Sequence, residues 1–393
     1  MPRRKLNNVT QRKDGRFVAR KIFGYKDDGS PNRKAFYGNT AAEASQKLAD
    51  YERQVENGLN VDASSLTFGQ WLNLWLMEYK FNSISPTTYD GYEHFIKKNI
   101  VPALGRHRLL KLRAEHLQAF INGLKKKSGE PMAAQSVRKI RNILQGALEQ
   151  AVKNGLITRN PVDALTLPKD RDKKKVGAFT PQEQAALLEQ VRDNRLYALF
   201  VLALGTGMRI GEIFALRWSA VDFIQQEITV SASVSRSKDR DASTGVIEGS
   251  SIKVNSPKTK AGIRSIPITR QVLQALVEHR DAQKIERFEA GSAWRDNGLV
   301  FCNTLGGYLE YRGVTRLFEK MRGQAGISRH SFHSLRHSFA TNAITASMDY
   351  YYLSRIMGHT SISITLDTYT EYMPDKSRSE MEKMEGVLKL KAA

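Results

Sequence analysis

The first 60 residues combine short alternating runs with one run of helical spacing. Apolar and polar residues alternate over three stretches that are predicted to be strands, 5–11, 16–24 and 33–37. Turn-forming residues separate these stretches at Asp14-Gly15 and at 27–31. Helical spacing then covers 41–56, with Thr40 placed to cap the first turn. The pattern predicts a small three-stranded sheet with one helix.

Residues 65–165 carry apolar residues at helical spacing throughout. Four helices are predicted, one beginning at Thr67 and the others over 86–99, 113–124 and 133–154. Their large apolar side chains are expected to form a core: Trp71, Trp75, Phe95, Leu117, Phe120 and Leu144. The charged run 169–175 follows two prolines and lacks apolar periodicity, so it is predicted to be an exposed linker.

From residue 176 onward, helix and strand patterns mix. Thr180 and Glu183 form a capping box that opens one helix, and the apolar run 196–206 predicts a buried helix. The remaining expected elements are helices over 271–288, 311–325, 333–346 and 350–358, strands at 227–231 and 265–268, and a flexible loop over 235–251. The expected fold class is multidomain α+β: a three-stranded sheet plus helix as a head, an all-α four-helix domain, and a mixed, mainly-α domain with a small antiparallel sheet.

Composition excludes several classes of protein. The chain has 393 residues, of which 41% are hydrophobic and 26% charged, which is ordinary globular usage and excludes wholesale disorder. The single cysteine, Cys302, excludes an intrachain disulfide and a cysteine-based zinc site. No apolar run has membrane-spanning length, and the basic start is not a secretory signal. We therefore expect no membrane association and a cytoplasmic, nucleoid-associated location.

The charge points to a polyanionic partner. The net charge is +21, and the first 175 residues hold 33 Lys and Arg against 17 Asp and Glu, a net +16. Nucleic acid is the expected ligand, with the first half of the chain as the main binding region. The candidate contacts are Arg16, Arg20, Lys21, Arg33 and Lys34 in the head, and Lys125, Lys126, Lys127, Arg138, Lys139 and Arg141 in the helical domain. The alternatives are a solvated basic face on the head and a simple docking domain.

Four short islands in the last 220 residues carry groups suited to phosphodiester chemistry. They are Gly-Thr-Gly-Met-Arg-Ile-Gly-Glu at 205–212, Pro-Lys-Thr-Lys-Ala-Gly-Ile-Arg at 257–264, His-Ser-Leu-Arg-His at 333–337, and Gly-His at 358–359 followed by Tyr369 and Tyr372. Two guanidinium groups neutralise the charge on a phosphodiester undergoing transfer without a metal. A tyrosine hydroxyl is a nucleophile that forms a phosphotyrosine ester.

In this order and spacing, the islands resemble the tyrosine recombinase family of the phage integrase type, and the basic head looks closest to integrases of conjugative transposons. The resemblance covers about residues 4–375. It implies an arm-type DNA-binding domain over 1–60, a helical SAM-like core-binding domain over 65–165, a basic linker over 169–175 and a catalytic domain over 176–393. The implied reaction cuts and rejoins DNA through a 3′-phosphotyrosyl intermediate, integrating and excising a mobile element without metal, ATP or cofactor.

The resemblance also assigns roles to matching residues. Arg209 and Arg336 match the two arginines that clamp the scissile phosphate. Lys258 matches the lysine of the β-hairpin, which can protonate the leaving 5′-oxygen, although Lys260 and Arg264 are alternatives. Glu212 matches an acidic position that supports the site, and its alternative is a simple helix salt bridge.

The remaining matches concern the nucleophile and the imidazoles. Tyr369 matches the nucleophile, with Tyr372 as the competing tyrosine. His333 heads the His-x-x-Arg motif and is the expected proton acceptor, because imidazole titrates near neutrality. His359 matches the residue that hydrogen-bonds the phosphate or the leaving group, and the neighbouring His337 is expected to be structural.

Assembly on DNA is expected through the end of the chain. Met381, Met384 and Leu388 fall on one face of a short helix predicted from about residue 376, which in this family docks on a neighbouring protomer; the alternative is packing in cis. The expected partners are double-stranded DNA at crossover and arm-type sites, three further copies in a tetramer, and an excisionase or DNA-bending accessory protein. Alternative functions are a type IB-like topoisomerase and a non-catalytic DNA-binding regulator.

Overall fold

A computed structural model describes residues 9–25, 30–56, 65–168, 177–241, 245–256, 262–328 and 330–369. The chain divides into two compact units, Met1–Asp172 and Lys173–Ala393. The predicted linker 169–175 and the predicted C-terminal helix lie outside the described residues. None of the helices in the described ranges combines the length and the apolar content that crossing a bilayer requires.

The first unit begins with the predicted sheet and helix. Strands β1 (Val9–Gln11), β2 (Phe17–Tyr25) and β3 (Pro31–Gly38) are antiparallel in the order β1-β2-β3, and α1 (Ala41–Glu56) follows. Ala19 on β2 and Ala44 and Leu48 on α1 are buried together. The two alanines let α1 lie close against one face of the sheet.

The rest of the first unit is helical. Its elements are α2 (Phe68–Leu74), continued by a π-helical run (Trp75–Lys80); α3 (Pro86–Phe95), continued by a second π-helical run (Ile96–Ile100) and α4 (Val101–Leu104); α5 (Ala114–Asn122); and α6 (Ala134–Lys153). Thr67 caps α2 in a capping box with Gln70, and Ser85 caps α3 ahead of Pro86. Trp71 and Trp75 are almost fully buried, and the Trp71 indole Nε1 donates to the Ala147 carbonyl over 2.8 Å.

The second unit is mixed. Its helices are α7 (Pro181–Gln190), α8 (Tyr197–Thr206), α9 (Ile210–Ala215), α10 (Arg270–Ala290), α11 (Tyr311–Gln324), α12 (His333–Thr345), α13 (Tyr350–Met357) and α14 (Ile362–Tyr369). Its strands are β4 (Val221–Asp222), β5 (Glu227–Val230), β6 (Ser233–Arg240), β7 (Ile247–Asn255) and β8 (Arg264–Pro267). The apolar helix α8 packs against α10 and α12 in the middle of the core. The predicted multidomain α+β class is confirmed.

One sequence prediction is wrong in this unit. Residues 235–251, expected to be a flexible loop, belong mostly to β6 and β7, which pair antiparallel. Polar contacts join the strands, because Asp239 receives Lys253 at 2.6 Å and the Ser251 hydroxyl at 2.8 Å. Most of β7 is exposed, so its sequence lacks the apolar alternation that reveals a half-buried strand.

A close backbone approach also positions this hairpin. Strand β6 packs along α9, and a Cβ at Gly211 of α9 would lie 2.6 Å from the Ser233 hydroxyl and 2.7 Å from the Val234 carbonyl. Glycine at position 211 therefore allows the contact. Tertiary packing therefore stabilises a hairpin in the segment 235–251, for which composition alone predicts a loop.

Candidate active site

Arg209 stands at the entrance to α9. Helix α8 ends at Gly207, whose left-handed φ of 61° turns the chain, and a Cβ there would lie 2.4 Å from the Phe339 ring. Arg209 then becomes the N-cap residue of α9: its backbone N–H donates to Glu212 Oε2 over 2.8 Å and its Nη1 to Oε1 over 2.9 Å. Its Nη2 donates to the Gly358 carbonyl over 3.3 Å. The side chain is 43% exposed, so it is held in place and still open to a ligand.

Glu212 is buried and held by a second arginine. Arg264 on β8 donates from Nη1 to Oε1 over 3.1 Å and from Nη2 to Oε2 over 2.8 Å. Burial acts to raise the pKa of Glu212, but the hydrogen bonds and charge of Arg264, with those of Arg209, outweigh it and lower the pKa. The charged carboxylate of Glu212 therefore orients Arg209. Because Arg264 is paired with this carboxylate, it is not placed to protonate the leaving 5′-oxygen.

Arg336 lies deep beside the same turn. Its Nη1 donates to the Gly207 carbonyl and its Nη2 to the Met357 carbonyl, both over 2.6 Å. Burial and the charge of Arg209 lower the pKa of Arg336 to about 9. The two guanidinium groups are thus close enough to repel each other, which a bound anion would relieve.

His359 is half-buried between Arg336 and α14. Its Nε2 lies 3.1 Å from Arg336 Nη2 and its Nδ1 lies 2.7 Å from the Thr365 hydroxyl. Because an arginine only donates, Nε2 accepts and the ring proton sits on Nδ1. Burial, with the charges of Arg336 and Arg209, lowers the pKa of His359 to about 4, so the ring is neutral at neutral pH.

His333 is the first residue of α12. Its side chain reaches solvent, but the protein around the ring, together with His337 and the charges of Arg336 and Arg209, lowers its pKa to about 4. Its ring meets that of His337 edge-on, with centroids 4.9 Å apart. A cavity of about 230 Å³ opens beside His333 and Arg336, with apolar walls and Tyr311 at its lining.

Tyr369 ends α14 and is only 2% exposed, packed against Ala340, Leu353 and Met357 among others. Its hydroxyl lies 3.0 Å from Nδ1 of His337, a hydrogen bond. Sequence reasoning gave His337 no chemical role. The available signal was its position four residues after His333, which puts both rings on one face of a helix.

Three expected or alternative site residues lie outside the described part of the chain. Lys258 and Lys260 belong to the segment 257–261, which lies outside the described residues, as does Tyr372. Four parts of the second unit, the start of α9, α12, the turn between α13 and α14, and the end of α14, bring six of the expected residues together: Arg209, Glu212, His333, Arg336, His359 and Tyr369.

The basic residues of the head do not share one face. Lys21 and Lys34 are cross-strand partners on the face that packs on α1, and Lys21 Nζ forms an ion pair with Glu52 of α1 at 2.7 Å. Arg20 and Arg33, each one position earlier in its strand, project from the opposite face. Arg16, just before β2, pairs with Asp14 at 3.1 Å.

In the helical domain, Lys125, Lys126 and Lys127 are exposed in a tight turn closed by a bridge between Lys125 and Pro131. Lys126 pairs with Glu130 at 2.7 Å. On α6, Arg138 and Lys139 are exposed and Arg141 is half-buried. These side chains are solvent-accessible and positively charged, as phosphate contacts require.

Comparison with known proteins places both units of the chain in one family. The model of the phage integrase family matches residues 178–375, and that of the phage integrase N-terminal SAM-like domain matches 67–125. A "tyrosine recombinase XerC-like" protein of Caldanaerobacter subterraneus is 29% identical, covering 91% of this chain and 93% of its own. The ICEBs1 integrase of Bacillus subtilis is 23% identical, covering 97% and 100%.

Solved structures share the fold. A Tn1549 transposon integrase fragment in complex with circular intermediate DNA aligns with a TM-score of 0.65 at 21% identity, covering 81% of this chain and 99% of its own. A lambda integrase dimer on a core site aligns with a TM-score of 0.56 at 19% identity, covering 96% and 98%.

The fold and the site define a DNA strand-transferring enzyme of the tyrosine recombinase class. The chain belongs to the phage integrase family.

Proposed function

We propose that this recombinase integrates and excises a mobile element by cutting and rejoining DNA at specific sites through a 3′-phosphotyrosyl link at Tyr369. The observation that carries the proposal is the convergence of Arg209, Arg336 and His359 around one turn. The hydroxyl of Tyr369 is hydrogen-bonded to His337, which lies on the same helix as Arg336. The integrases of ICEBs1 and Tn1549 are named for mobile elements, which supports this assignment.

The scissile phosphate would sit between Arg209 and Arg336. Transfer places negative charge on the non-bridging oxygens, and two arginine forks neutralise it with hydrogen bonds that are strongest when that charge is largest. The neutral ring of His333 can donate a hydrogen bond to the same oxygens, while His359 accepts from Nη2 of Arg336 and so positions that guanidinium. Glu212 is a positioning residue, since it holds the guanidinium of Arg209 through a charge-assisted bond.

Protonation of the departing 5′-oxygen falls to Lys258. The ammonium group can supply a proton at neutral pH, and Arg264, the competing cation described in the structure, is occupied by Glu212. The phosphotyrosine ester keeps the energy of the broken phosphodiester, so rejoining requires attack by a 5′-hydroxyl and no nucleotide cofactor.

DNA binding is assigned to three segments in the first half of the chain. Residues 1–60 would bind an arm-type site through the face bearing Arg20 and Arg33, residues 65–165 would bind the crossover site, and the basic linker 169–175 would follow the phosphate backbone. The active species on DNA is a tetramer coupled by the segment from residue 376, as lambda integrase forms a tetramer on a Holliday junction. Excision would require an excisionase or a DNA-bending accessory protein. The recombinase would act in the cytoplasm, on DNA of the nucleoid.

A suicide DNA substrate tests the reaction. A nick near the scissile phosphate lets the cut fragment diffuse away and traps the covalent protein–DNA adduct, which a denaturing gel resolves. The wild type should form the adduct in the presence of EDTA. Tyr369→Phe should bind the same DNA and form none, while Tyr372→Phe should remain active. Adduct formation by Tyr369→Phe, with loss in Tyr372→Phe, would contradict the assignment of the nucleophile.

A further inference from the structure

We propose that His337 takes the proton from Tyr369 as the tyrosine attacks the phosphate, a role for which the sequence favours His333. The proposal rests on the proposed function of Tyr369 as nucleophile. Its basis is the 3.0 Å hydrogen bond between the Tyr369 hydroxyl and Nδ1 of His337. A general base must lie within hydrogen-bond reach of the proton it removes, and this pair meets that requirement before DNA arrives.

Packing holds both partners of this hydrogen bond. Tyr369 is enclosed by Ala340 and Ala343 of α12 and by Leu353 and Met357 of α13. His337 lies on α12, one turn before Ala340. The walls of the tyrosine pocket belong to the helix that carries the imidazole and to its neighbour, so close packing sets the spacing of the two groups.

The charges around His337 keep it ready to accept a proton. Burial and the charge of Arg336 lower the pKa of His337, so its ring is neutral at neutral pH and has one free lone pair. The titratable groups facing it are His333 and Arg336 on α12, His359 after α13, and Tyr369 on α14. The neighbouring positive charge disfavours a lasting imidazolium, so the proton is returned readily when the ester is reversed.

The step balances in atoms and electrons. An electron pair of the Tyr369 oxygen forms the bond to phosphorus while its proton moves to Nδ1 of His337. The bond between phosphorus and the 5′-oxygen breaks, and that oxygen takes its electron pair and a proton from Lys258. Rejoining runs the same transfers backwards, with His337 returning the proton to the tyrosine oxygen.

His333 has a different geometry. Its ring contacts the edge or face of the His337 ring at 4.9 Å, so it is suited to orient that ring and to reach the phosphate from the solvent-exposed side. The His-x-x-Arg motif that begins at His333 is followed directly by a second imidazole, His337, one turn further along the helix. His337 is the imidazole that contacts the nucleophile.

Leaving-group chemistry distinguishes a lost base from a lost acid. The full-length chain is tested in single-turnover cleavage of a suicide substrate with an ordinary phosphodiester and of one with a 5′-bridging sulfur, which leaves without protonation. His337→Ala and His337→Asn should slow cleavage of the ordinary substrate about a hundredfold, the lower end for a positioned general base. The sulfur substrate should rescue Lys258→Ala and leave both His337 variants slow.

A second measurement changes the nucleophile. Difluorotyrosine at position 369 ionises at lower pH than tyrosine and needs less help from a base. It should restore most of the rate lost in His337→Ala and change wild-type cleavage little. With ordinary tyrosine, the rate of His337→Ala should rise about tenfold per pH unit toward the tyrosine pKa near 10, whereas the wild-type rate should be flatter.

The controls separate this proposal from the proposed function. Thr345→Ala, exposed at the end of α12, should bind and cut DNA as the wild type does. Wild-type rates in both His337 variants, or a loss that neither difluorotyrosine nor higher pH restores, would overturn the role of His337. If Tyr369→Phe still formed the adduct, the proposed function itself would fail. Should His337→Ala not fold, His337→Asn and the response of the wild type to difluorotyrosine decide the question.

Discussion

Arg264 donates two hydrogen bonds to the carboxylate of Glu212, and both side chains are buried. The same carboxylate binds the backbone and the guanidinium of Arg209, while Nε of Arg264 donates to the Ile356 carbonyl over 2.6 Å. One buried ion pair therefore ties β8, α9 and the end of α13 together. The buried pair of Glu212 and Arg264 therefore sets the position of Arg209, the exposed arginine of the site.

Breaking this pair should destabilise the second unit. Removing one partner of a buried ion pair leaves an uncompensated charge, at a cost of about 3–5 kcal/mol. We expect Glu212→Gln and Arg264→Ala each to lower the free energy of unfolding by that order in urea denaturation. Asp281→Asn is the control, because its pair with Lys284 is about two-thirds exposed and its loss should leave the free energy of unfolding almost unchanged. Equal effects at the two sites would contradict the argument.

The same pair sets a dependence on acid. The pKa of Glu212 is lowered from its ordinary value of 4.5, so its contribution is complete above that value and is lost as pH falls through the lowered folded-state pKa. The wild type should therefore lose stability below about pH 4.5 more steeply than Glu212→Gln. Thermal denaturation at a series of acid pH values measures the difference, and parallel curves would count against a charged Glu212.

Gly358 should not tolerate a side chain. Its φ is 64°, and a Cβ would lie 2.9 Å from Nη1 of Arg264. We expect Gly358→Ala to cost about 1–3 kcal/mol and to slow cleavage, because the Gly358 carbonyl also receives Arg209. Gly323→Ala on α11 is the matched control: it has open space and helical geometry and should stabilise the chain by about 0.5–1 kcal/mol. Similar losses in both would refute the steric explanation.

The two clamp arginines should act on cleavage more than on binding. Arg209→Ala and Arg336→Ala each remove a donor that is used mainly when charge develops on the phosphate, at a cost of about 3 kcal/mol or roughly a hundredfold in rate. Adduct formation on suicide DNA gives the rate, and a gel-shift titration gives the affinity. Arg192→Ala, exposed and paired with Glu189, serves as the control. A parallel fall in binding and cleavage would remove the clamp from the proposal.

The head should bind DNA through one face of its sheet. Arg20→Ala and Arg33→Ala should each weaken arm-site binding and reduce the salt slope by about one, as expected for a lost phosphate contact. Lys21→Ala should change binding less, because Lys21 is on the α1 side and already pairs with Glu52. Binding titrations of the full chain at several salt concentrations give both values, and an equal effect of Lys21→Ala would show that the face assignment is wrong.

The sequence alone determined the class of fold. Helical periodicity, capping residues such as Thr67 and Thr180, and turn residues are local signals, and the helices that these two residues begin are present. The residues proposed to carry the chemistry could also be named, because the order and spacing of their motifs resemble those of the tyrosine recombinase family. The prediction of the helices requires only interactions between residues near in sequence.

Only the tertiary structure decided which groups touch. Arg264 meets Glu212 across 52 residues and His337 meets Tyr369 across 32, and no local pattern records either contact. The hairpin of β6 and β7 likewise depends on Gly211 of α9 and on polar cross-strand pairs, which composition presents as a loop. Hydrogen bonds and packing act through space, so the partner of the nucleophile and the support of the clamp follow from the fold and not from the order of residues.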